Sequence, residues 1–364
     1  MTQSKPFGFR NIFMQYEPKL IGLFFFYYYT WLIMKINLCH KFEDIISVEN
    51  LLEAWGEFIN GKKKKVDVQK FSLRLMDNIF DLHFELVNLT YKHSAYQAFK
   101  INDPKPRIIH KASVRDRLLH HAIYRLLYLF FDKIFICDSF SCRENKGTHR
   151  AIARFRVFSQ KVSQNNTKTC WILKGDIKKF FASIDHGILL NILKDYIPDK
   201  KILWLLQEII SSFNSGQIGV GLPLGNLTSQ LFANIYLNKF DKFIKHRLKL
   251  KHYIRYADDF VVFFQNKNFL KKQILFIISF LQERLKLEIN PQKIFIKTLA
   301  SGVDFLGWVN FFDHRVLRTK TKKRMLIRLG KNPKKEVLIS YFGLLGWGNS
   351  YKIQKQIKIV PLKF

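Results

Sequence analysis

The sequence predicts an α+β fold in which helical segments flank a β-rich centre. Hydrophobic residues recur at three- and four-residue steps over residues 41–89 and 114–131, a spacing typical of helices with one buried face. The centre instead carries short apolar runs at residues 171–177 and 252–264, which are typical of buried strands. The third observation is a basic tail from residue 319 onwards, whose pattern is again mostly helical.

The remaining elements are predicted from alternation and turn residues. Residues 96–110 alternate in hydrophobicity and contain two prolines, which predicts an extended hairpin between the helical segments. A helix at residues 269–285 follows the central strands. Short strands are predicted last, near residues 289–298 and 303–311.

The chain is strongly basic, with 61 lysines and arginines against 28 aspartates and glutamates and a net charge of +33. This excess favours a nucleic-acid partner, although charge that serves only solubility or membrane contact is the alternative. The basic residues are spread over the whole chain, with clusters at residues 62–65 and 315–335, which suits a long duplex better than a single patch. The hydrophobic content of 48% excludes a disordered or fibrous protein.

Cysteine spacing gives no metal or disulfide framework. The cysteines form no CxxC pair and have no matching histidine pairs, so we predict neither a zinc site nor disulfides. Reduced thiols and a cytoplasmic location are the expectation. The four residues are Cys39, Cys137, Cys142 and Cys170.

The N-terminal segment differs from the rest of the chain. Residues 20–34, LIGLFFFYYYTWLIM, are apolar and uncharged, but 15 residues fall short of the roughly 20 that cross a bilayer. A signal peptide is a second interpretation, yet no small-residue cleavage site follows. We favour a third, in which translation starts at Met34 and residues 1–33 are not part of the fold. No membrane partner is expected.

Carboxylates interrupt the central strands. Asp258 and Asp259 lie side by side in HYIRYADDFVVFF, and Asp176 ends the apolar run WILKGD. Ionised carboxylates beside an apolar core repel each other unless a cation compensates, and Mg²⁺ is a hard ion that carboxylates bind. Acids that merely face water at a turn are the alternative. Three carboxylates at strand ends would hold two ions roughly 3.5 to 4 Å apart.

A glycine- and proline-rich loop opens a helix within residues 219–241. Glycines let the backbone approach a base pair closely, and a helix N-terminus favours phosphate. By itself, such a loop is a weak indication of nucleotide binding.

Five segments together resemble the motifs of reverse transcriptases in order and spacing. They are LKGDIKKFF at residues 173–181, GLPLGNLTSQLFANIYL at 221–237, YADDF at 256–260, NPQK at 290–293 and FLGW at 305–308. The resemblance spans about residues 37–335 and implies a right-hand polymerase. Its expected parts are fingers at 34–165, a palm of antiparallel sheet plus helices at 166–300, a primer-grip hairpin at 301–318 and a short basic helical thumb at 319–364.

The resemblance also implies roles for individual residues. Two Mg²⁺ ions, for which Mn²⁺ can substitute, would be bound by Asp176, Ile177, Asp258 and Asp259. Lys293 would complete the catalytic set by protonating pyrophosphate, and Phe181 would exclude ribonucleotides. The stretch DPKPRIIHKASVRDR supplies Lys105 and the two arginines expected to hold the triphosphate. The expected nucleotide contacts are Arg107, Arg115, Phe181, Leu224, Gly225 and Gln230. The expected primer-grip residues are Phe305, Leu306 and Gly307.

Within the family, the sequence most resembles the reverse transcriptases of diversity-generating retroelements. DSFSCRENKGTHRAI at residues 138–152, LGNLTSQ at 224–230 and RYADDF carry this resemblance. Leu224 stands where most reverse transcriptases have Gln, which in this lineage accompanies errors at template adenines. The implied partners are an RNA template, a nucleic-acid primer, deoxynucleoside triphosphates and a small, basic, oligomeric accessory protein.

Two other functions stay open. One is reverse transcription in another bacterial lineage, either group II intron-like or serving phage defence. We expect the intron-like case less, because no maturase or endonuclease segment is visible after the thumb. The other is a catalytically inactive RNA-binding scaffold, which the intact carboxylates disfavour.

Overall fold

The computed structural model describes residues 36–102, 106–330 and 335–358. The N-terminal segment at residues 1–33, Met34 and Lys105 lie outside the described residues. The chain divides into two units, Met1–Asn37 and Leu38–Phe364, and all elements below belong to the second.

Four helices open the second unit. They are α1 (Phe42–Ile46), α2 (Val48–Phe58), α3 (Val66–Ser72) and α4 (Leu75–Val87). The Ser47 side chain starts α2 by accepting a hydrogen bond from the backbone N–H of Asn50, as an N-cap serine does. Leu51 and Trp55 of α2 are buried in the main hydrophobic core, which confirms the helical spacing predicted for this region.

An antiparallel hairpin of β1 (Gln97–Ile101) and β2 (Arg107–Lys111) follows, as the alternating residues predict. Its base is tied to the glycine-rich loop, because the backbone N–H of His110 donates to the carbonyl of Leu224 (3.0 Å). The hairpin therefore contacts the loop for which the sequence weakly predicts nucleotide binding.

Two long helices precede the central sheet, α5 (Val114–Ile134) and α6 (Gly147–Val162). Helix α5 packs on α2 within the main core. Helix α6 instead lays Phe155 and Phe158 against Phe263 of the central sheet. The predicted boundary between fingers and palm, at residue 165, lies between α6 and the central sheet. Helix α6 nevertheless packs on that sheet.

The central sheet has four antiparallel strands in the order β4-β5-β3-β6. The strands are β3 (Trp171–Asp176), β4 (Tyr253–Tyr256), β5 (Asp259–Phe264) and β6 (Phe295–Thr298). Leu173 and Phe260 join the main core on one face, while Ile172 and Val261 join a second cluster with α6 on the other. Burial on both faces explains why these strands read as unbroken apolar runs. Strand β6 starts later than residue 289, where only an isolated bridge between Ile177 and Ile289 forms.

Four more helices complete the core: α7 (His186–Lys194), α8 (Lys200–Ser211), α9 (Leu227–Lys242) and α10 (Lys267–Leu285). Helix α9 begins after the glycine-rich loop and is buried along most of its length, between α5, α7 and α10. A π-helical turn at Phe243–Arg247 extends it. The predictions of a helix after the loop and of a helix at residues 269–285 are confirmed.

The chain ends in a small sheet and a helical tail. The strands are β7 (Val303–Phe305), β8 (Trp308–Asn310) and β9 (Arg315–Leu317), followed by helices α11 (Thr319–Leu329), α12 (Lys335–Leu345) and α13 (Tyr351–Lys358). Trp308 anchors the tail, because Met325 and Leu345 pack in the same buried cluster. A search of the described residues finds no helix with the length and apolarity of a membrane span.

Candidate active site

Strand pairing places the three predicted carboxylates at one end of the central sheet. Asp176 lies opposite Asp259 in the antiparallel pair of β3 and β5. Asp258 occupies the turn between β4 and β5, and its carbonyl accepts a hydrogen bond from the backbone N–H of Ile177 (3.1 Å). Since opposite residues of such a pair lie about 4.5–5.5 Å apart at Cα, the three side chains can serve one reaction centre.

A buried arginine supports the turn that carries Asp258. Ala257 has a φ of 53°, in the left-handed region that residues other than glycine rarely adopt. The side chain of Arg255 donates to the Ala257 carbonyl (3.2 Å) and forms two bonds with the carboxylate of Asp241 (2.7 and 2.6 Å). Because this ion pair is bidentate and fully buried, it fixes the start of the turn and offsets its backbone strain.

The protein only partly compensates the negative charge of the carboxylates. Burial raises the pKa of Asp258, and the neighbouring Asp176 raises it further. Burial also raises the pKa of Asp259, to about 6, against the lowering effect of Lys174. A charged carboxylate is costly in a low-dielectric environment beside like charges. A cation bound at this end of the sheet would therefore stabilise the ionised forms.

Two lysines contact the carboxylates. Lys293 Nζ lies 2.6 Å from Asp176 Oδ1. Lys174 Nζ lies 3.6 Å from Asp259 Oδ1 and donates to the carbonyl of Asp304 (2.9 Å). Across residues 36–102, 106–330 and 335–358, no three His, Cys, Asp or Glu side chains are gathered into a metal-binding group. In this arrangement the ammonium groups partly neutralise Asp176 and Asp259.

The donor set nevertheless fits a hard divalent ion. The predicted side-chain ligands are all carboxylates, which suit Mg²⁺ and Mn²⁺, and they include no thiol or imidazole. The raised pKa values of Asp258 and Asp259 show that added positive charge would be favourable here. Ile177 is also a predicted ligand; its buried hydrocarbon side chain leaves only the backbone carbonyl as a donor.

Two predicted nucleotide contacts, Phe181 and Gln230, line one small depression beside the turn between β4 and β5, together with Ala257. The backbone carbonyl of Phe181 accepts a hydrogen bond from the N–H of Leu222 (2.7 Å), which joins the segment after β3 to the glycine-rich loop. This depression adjoins the turn that carries Asp258, so the two predicted contacts lie beside the carboxylates.

Leu224 and Gly225 lie where the glycine-rich loop meets the hairpin of β1 and β2. Gly225 has a φ of +116°, and a Cβ built on it would lie 2.8 Å from Cγ2 of Ile109. Both the backbone conformation and the close approach favour glycine at this position. The Leu224 side chain is half-buried, and its carbonyl accepts the hydrogen bond from His110. These residues therefore join the glycine-rich loop to the hairpin of β1 and β2.

The two arginines predicted to hold the triphosphate differ in their surroundings. Arg107 is exposed at the start of β2, and its charge acts to lower the pKa of Asp258. Arg115 lies on α5, pairs with Glu85 (2.7 Å) and donates to the carbonyl of Lys92 (2.6 Å). Arg107 is thus within electrostatic reach of the carboxylates, whereas Arg115 is engaged among the N-terminal helices.

Comparison with known proteins decides the family. Residues 92–309, more than half of the chain, match the family model described as reverse transcriptase (RNA-dependent DNA polymerase). The chain belongs to the reverse transcriptase family. The matched residues contain all three carboxylates, the glycine-rich loop and most of the small sheet. The family inferred from the motifs is confirmed, and with it the right-hand polymerase fold of helices and antiparallel sheet.

The chain is similar to intron-encoded and bacterial proteins over part of their length. It is 24% identical over 295 residues to the group II intron-encoded protein LtrA of Lactococcus lactis subsp. cremoris, covering 62% of this chain and 47% of LtrA. It is 26% identical over 253 residues to Protein YkfC of Escherichia coli (strain K12), covering 58% and 63%. An apo telomerase structure from Candida tropicalis, truncated from the C-terminal domain, has a TM-score of 0.48 at 14% identity, covering 67% of this chain and 60% of that one. The chain therefore spans less than two thirds of each.

The predicted primer-grip residues form the hairpin between β7 and β8. Phe305 pairs with Trp308, and the two residues between them, Leu306 and Gly307, have φ values of 52° and 85°. Positive φ at both central residues is the signature of a type I′ turn. Phe305 is buried and stacks on Phe155 of α6, with ring centroids 5.5 Å apart. The grip is therefore anchored to the same helix that supports the central sheet.

Sequence reasoning missed two charged residues that support the strands carrying the candidate site. Lys174 and Arg255 both lie inside otherwise apolar strands, and a charge at such a position requires a partner. Their partners, Asp304 and Asp241, are distant or on another element, so no local pattern identifies them. The only available signal is the charge within the strand.

Proposed function

We propose that the protein is an RNA-directed DNA polymerase, which extends a primer 3′ end with deoxynucleotides opposite an RNA template. The observation that carries this proposal is the convergence of Asp176, Asp258 and Asp259 at one end of the sheet, in a chain of the reverse transcriptase family. The net charge of +33 supports polyanionic partners, namely template, primer and nucleoside triphosphate.

We assign the metal site to the three carboxylates and the Ile177 carbonyl. When bound, two Mg²⁺ ions would activate the primer 3′-hydroxyl and neutralise charge on the triphosphate, and Mn²⁺ would substitute. Lys293, in contact with Asp176, is assigned to give a proton to pyrophosphate. Arg107 is assigned to hold the triphosphate, and Phe181 to exclude a ribose 2′-hydroxyl by filling the space beside the sugar.

Replacing Asp258 by Asn tests the polymerase proposal. This change removes one carboxylate charge at constant size, so primer extension on an RNA template should fall by roughly a hundredfold or more. The measurement is incorporation of deoxynucleotides by the full-length protein in Mg²⁺. Asp77→Asn is the matched control, because Asp77 is exposed on α4 and pairs only with Arg74 at the surface.

The outcomes of this test are distinct. Loss of synthesis in Asp258→Asn but not in Asp77→Asn supports the proposal. Equal activity of the Asp258→Asn variant and the unmodified protein contradicts the assignment of the carboxylates. An unmodified protein that binds RNA but makes no product would instead be a catalytically inactive scaffold.

We further propose that this polymerase serves a diversity-generating retroelement and copies template adenines with errors. The segments at residues 138–152 and 224–230 support this lineage, as does Leu224 in the glycine-rich loop, where most reverse transcriptases have Gln. It also implies a small, basic, oligomeric accessory protein, which we propose as a partner. Similarity to a group II intron-encoded protein favours the alternative, a polymerase of the intron-like lineage.

Sequencing of complementary DNA separates the two lineages. We expect errors of the unmodified protein to concentrate opposite template adenines, and Leu224→Gln to reduce them, because an added amide gives the nascent base pair a polar check. Leu275→Gln is the control, since Leu275 is exposed on α10. Faithful product from the unmodified protein would refute the retroelement lineage, favour the intron-like one and leave the polymerase proposal intact.

A further inference from the structure

A second pocket lies at the helical tail, apart from the carboxylates. This tail pocket encloses about 280 Å³ and is lined by the turn between β8 and β9, part of α6 and the segment between α12 and α13. Strand β8 has a hairpin turn at each end, Leu306–Gly307 at one and residues 311–314 at the other. The tail pocket therefore lies at the end of the hairpin remote from the primer-grip turn.

Two arginines line the tail pocket, and in the described part of the chain neither forms an ion pair with a carboxylate. Arg156 is exposed on α6, and Arg315 is half-buried on β9. The Nη1 atom of Arg315 is buried without a hydrogen-bond partner. The two guanidinium groups share this pocket, and both burial and the charge of Arg156 lower the pKa of Arg315. Two neighbouring cations with an unused donor favour a bound anion.

The one acidic side chain among the lining residues does not pair with either arginine. Asp313 is exposed, and its Oδ1 atom contacts Nδ1 of the adjacent His314 (2.6 Å). The arginines therefore keep their positive potential toward the pocket.

Aromatic rings form other walls of the tail pocket. Trp347, with 44% of its surface exposed, stacks on His149 with ring centroids 4.1 Å apart. Phe311 stacks on His314 at 4.7 Å. Aromatic faces beside guanidinium groups are the means by which proteins hold unpaired bases and their phosphates. A simple inorganic anion would use the arginines alone and leave the aromatic walls without a role.

We propose that the tail pocket binds one nucleotide of a single-stranded nucleic acid, with the phosphate on Arg156 and Arg315 and the base against Trp347. Its volume of about 280 Å³ lies near the lower end of the roughly 300–1,000 Å³ of small-molecule sites, which suits a single nucleotide and excludes a duplex. A strand held there is a contact additional to the proposed catalytic cleft, and it does not require polymerase activity.

Binding of a labelled oligouridylate to the full-length protein tests this site. The catalytic cleft is first saturated with an unlabelled RNA–DNA primer–template, and anisotropy is then measured over a range of salt concentrations. Loss of one phosphate contact in Arg156→Gln should weaken binding severalfold and reduce the slope of log affinity against log salt by about 0.7. Arg247→Gln removes the same charge from an exposed site on the π-helical turn and should leave the slope unchanged.

Photocross-linking supplies a second readout that does not depend on charge. RNA containing 4-thiouridine should cross-link to peptides that contain Phe311 or Trp347, and Trp347→Leu should remove the latter cross-link while the protein stays folded by circular dichroism. Equal salt slopes for Arg156→Gln and Arg247→Gln, with cross-links only outside the tail pocket, would overturn the proposal. A parallel oligodeoxyuridylate distinguishes RNA from DNA, and primer extension measured on the same variants reports the polymerase proposal separately.

Discussion

At the scale of single residues, Lys174 connects the predicted catalytic carboxylates to the predicted primer-grip hairpin. Its buried ammonium group lies between Asp259 and the carbonyl of Asp304. Burying a charge is costly unless it is paired, so the two contacts explain how a lysine is tolerated inside an apolar strand. The contact to Asp304 joins the central sheet to the small sheet of β7, β8 and β9.

Lys174→Met should therefore destabilise the protein more than the loss of an exposed lysine would. The change keeps the length of the side chain but leaves the Asp304 carbonyl without its donor, at a cost of about 1–3 kcal/mol of unfolding free energy. Urea denaturation measures the change. Lys178→Met is the control, because Lys178 pairs with Glu288 in an exposed position worth about 0–1 kcal/mol. Similar losses in both variants would contradict this connecting role.

At the scale of elements, the pairing of β3 with β5 depends on the absence of a side chain at Gly175. A Cβ built on Gly175 would overlap the ring of Phe260, which is fully buried and precedes the rest of the apolar run of β5. Gly175 lies directly opposite Phe260 in this ladder, one position before the pair of Asp176 and Asp259. Any shift of the ring is therefore passed to the carboxylates next to it.

Gly175→Ala should lower the free energy of unfolding by about 1–3 kcal/mol through overpacking, and should also reduce primer extension. The same substitution at Gly56 should instead raise the free energy of unfolding. Gly56 lies in α2 with open space around its Cα, so alanine there should stabilise the helix by about 0.5–1 kcal/mol. Chemical denaturation of both variants, with activity assays, tests the pair. A neutral Gly175→Ala would show that the Phe260 ring relaxes without cost.

At the scale of the whole molecule, buried histidines join the N-terminal helices to α9. His120 on α5 lies 3.3 Å from the hydroxyl of Thr228 at the start of α9. Burial, reinforced by the charge of His93, lowers the pKa of His120 to about 3. Burial likewise lowers the pKa of His121, to about 4. Both histidines are therefore neutral in the folded protein at neutral pH.

The lowered pKa of His120 makes the stability of the protein depend on pH in a defined direction. Below a pKa near 6.5 the unfolded chain takes up protons that folded His120 refuses, so the stabilisation present at neutral pH is lost as the pH falls. Between about pH 7.5 and about pH 5, His120 should account for a loss of about 2 kcal/mol. His120→Gln should remove that part of the pH dependence, as measured by urea denaturation at both pH values.

His246→Gln is the control for this measurement, because His246 is exposed on the π-helical turn and should leave the pH dependence unchanged. The raised pKa of Asp259 acts in the opposite direction, since the folded protein binds its proton more tightly than the unfolded chain. It is common to all three proteins, so it cancels in the comparison. An identical pH dependence for His120→Gln and the unmodified protein would contradict the buried neutral state.

The sequence by itself determined the family and the order of the elements, and it predicted which carboxylates form the site. Helix periodicity, unbroken apolar runs and the hairpin before α5 are local patterns that follow from which face of an element is buried. Asp176 and Asp258 could be predicted as site residues because an acid at the end of a buried strand has few structural explanations. The motifs then fixed the family, which the match to residues 92–309 confirms.

Only the tertiary structure decided which charged residues pair and which surfaces meet. Several contacts join residues that no local pattern relates. They are the bond of Lys174 with Asp304, the ion pair of Arg115 with Glu85 and the packing of α6 on the central sheet. The tail pocket likewise needs three separate segments to be brought together. The physical reason is that periodicity records burial of a face but not the identity of the partner, because partner choice depends on long-range geometry and on the balance between desolvation and pairing.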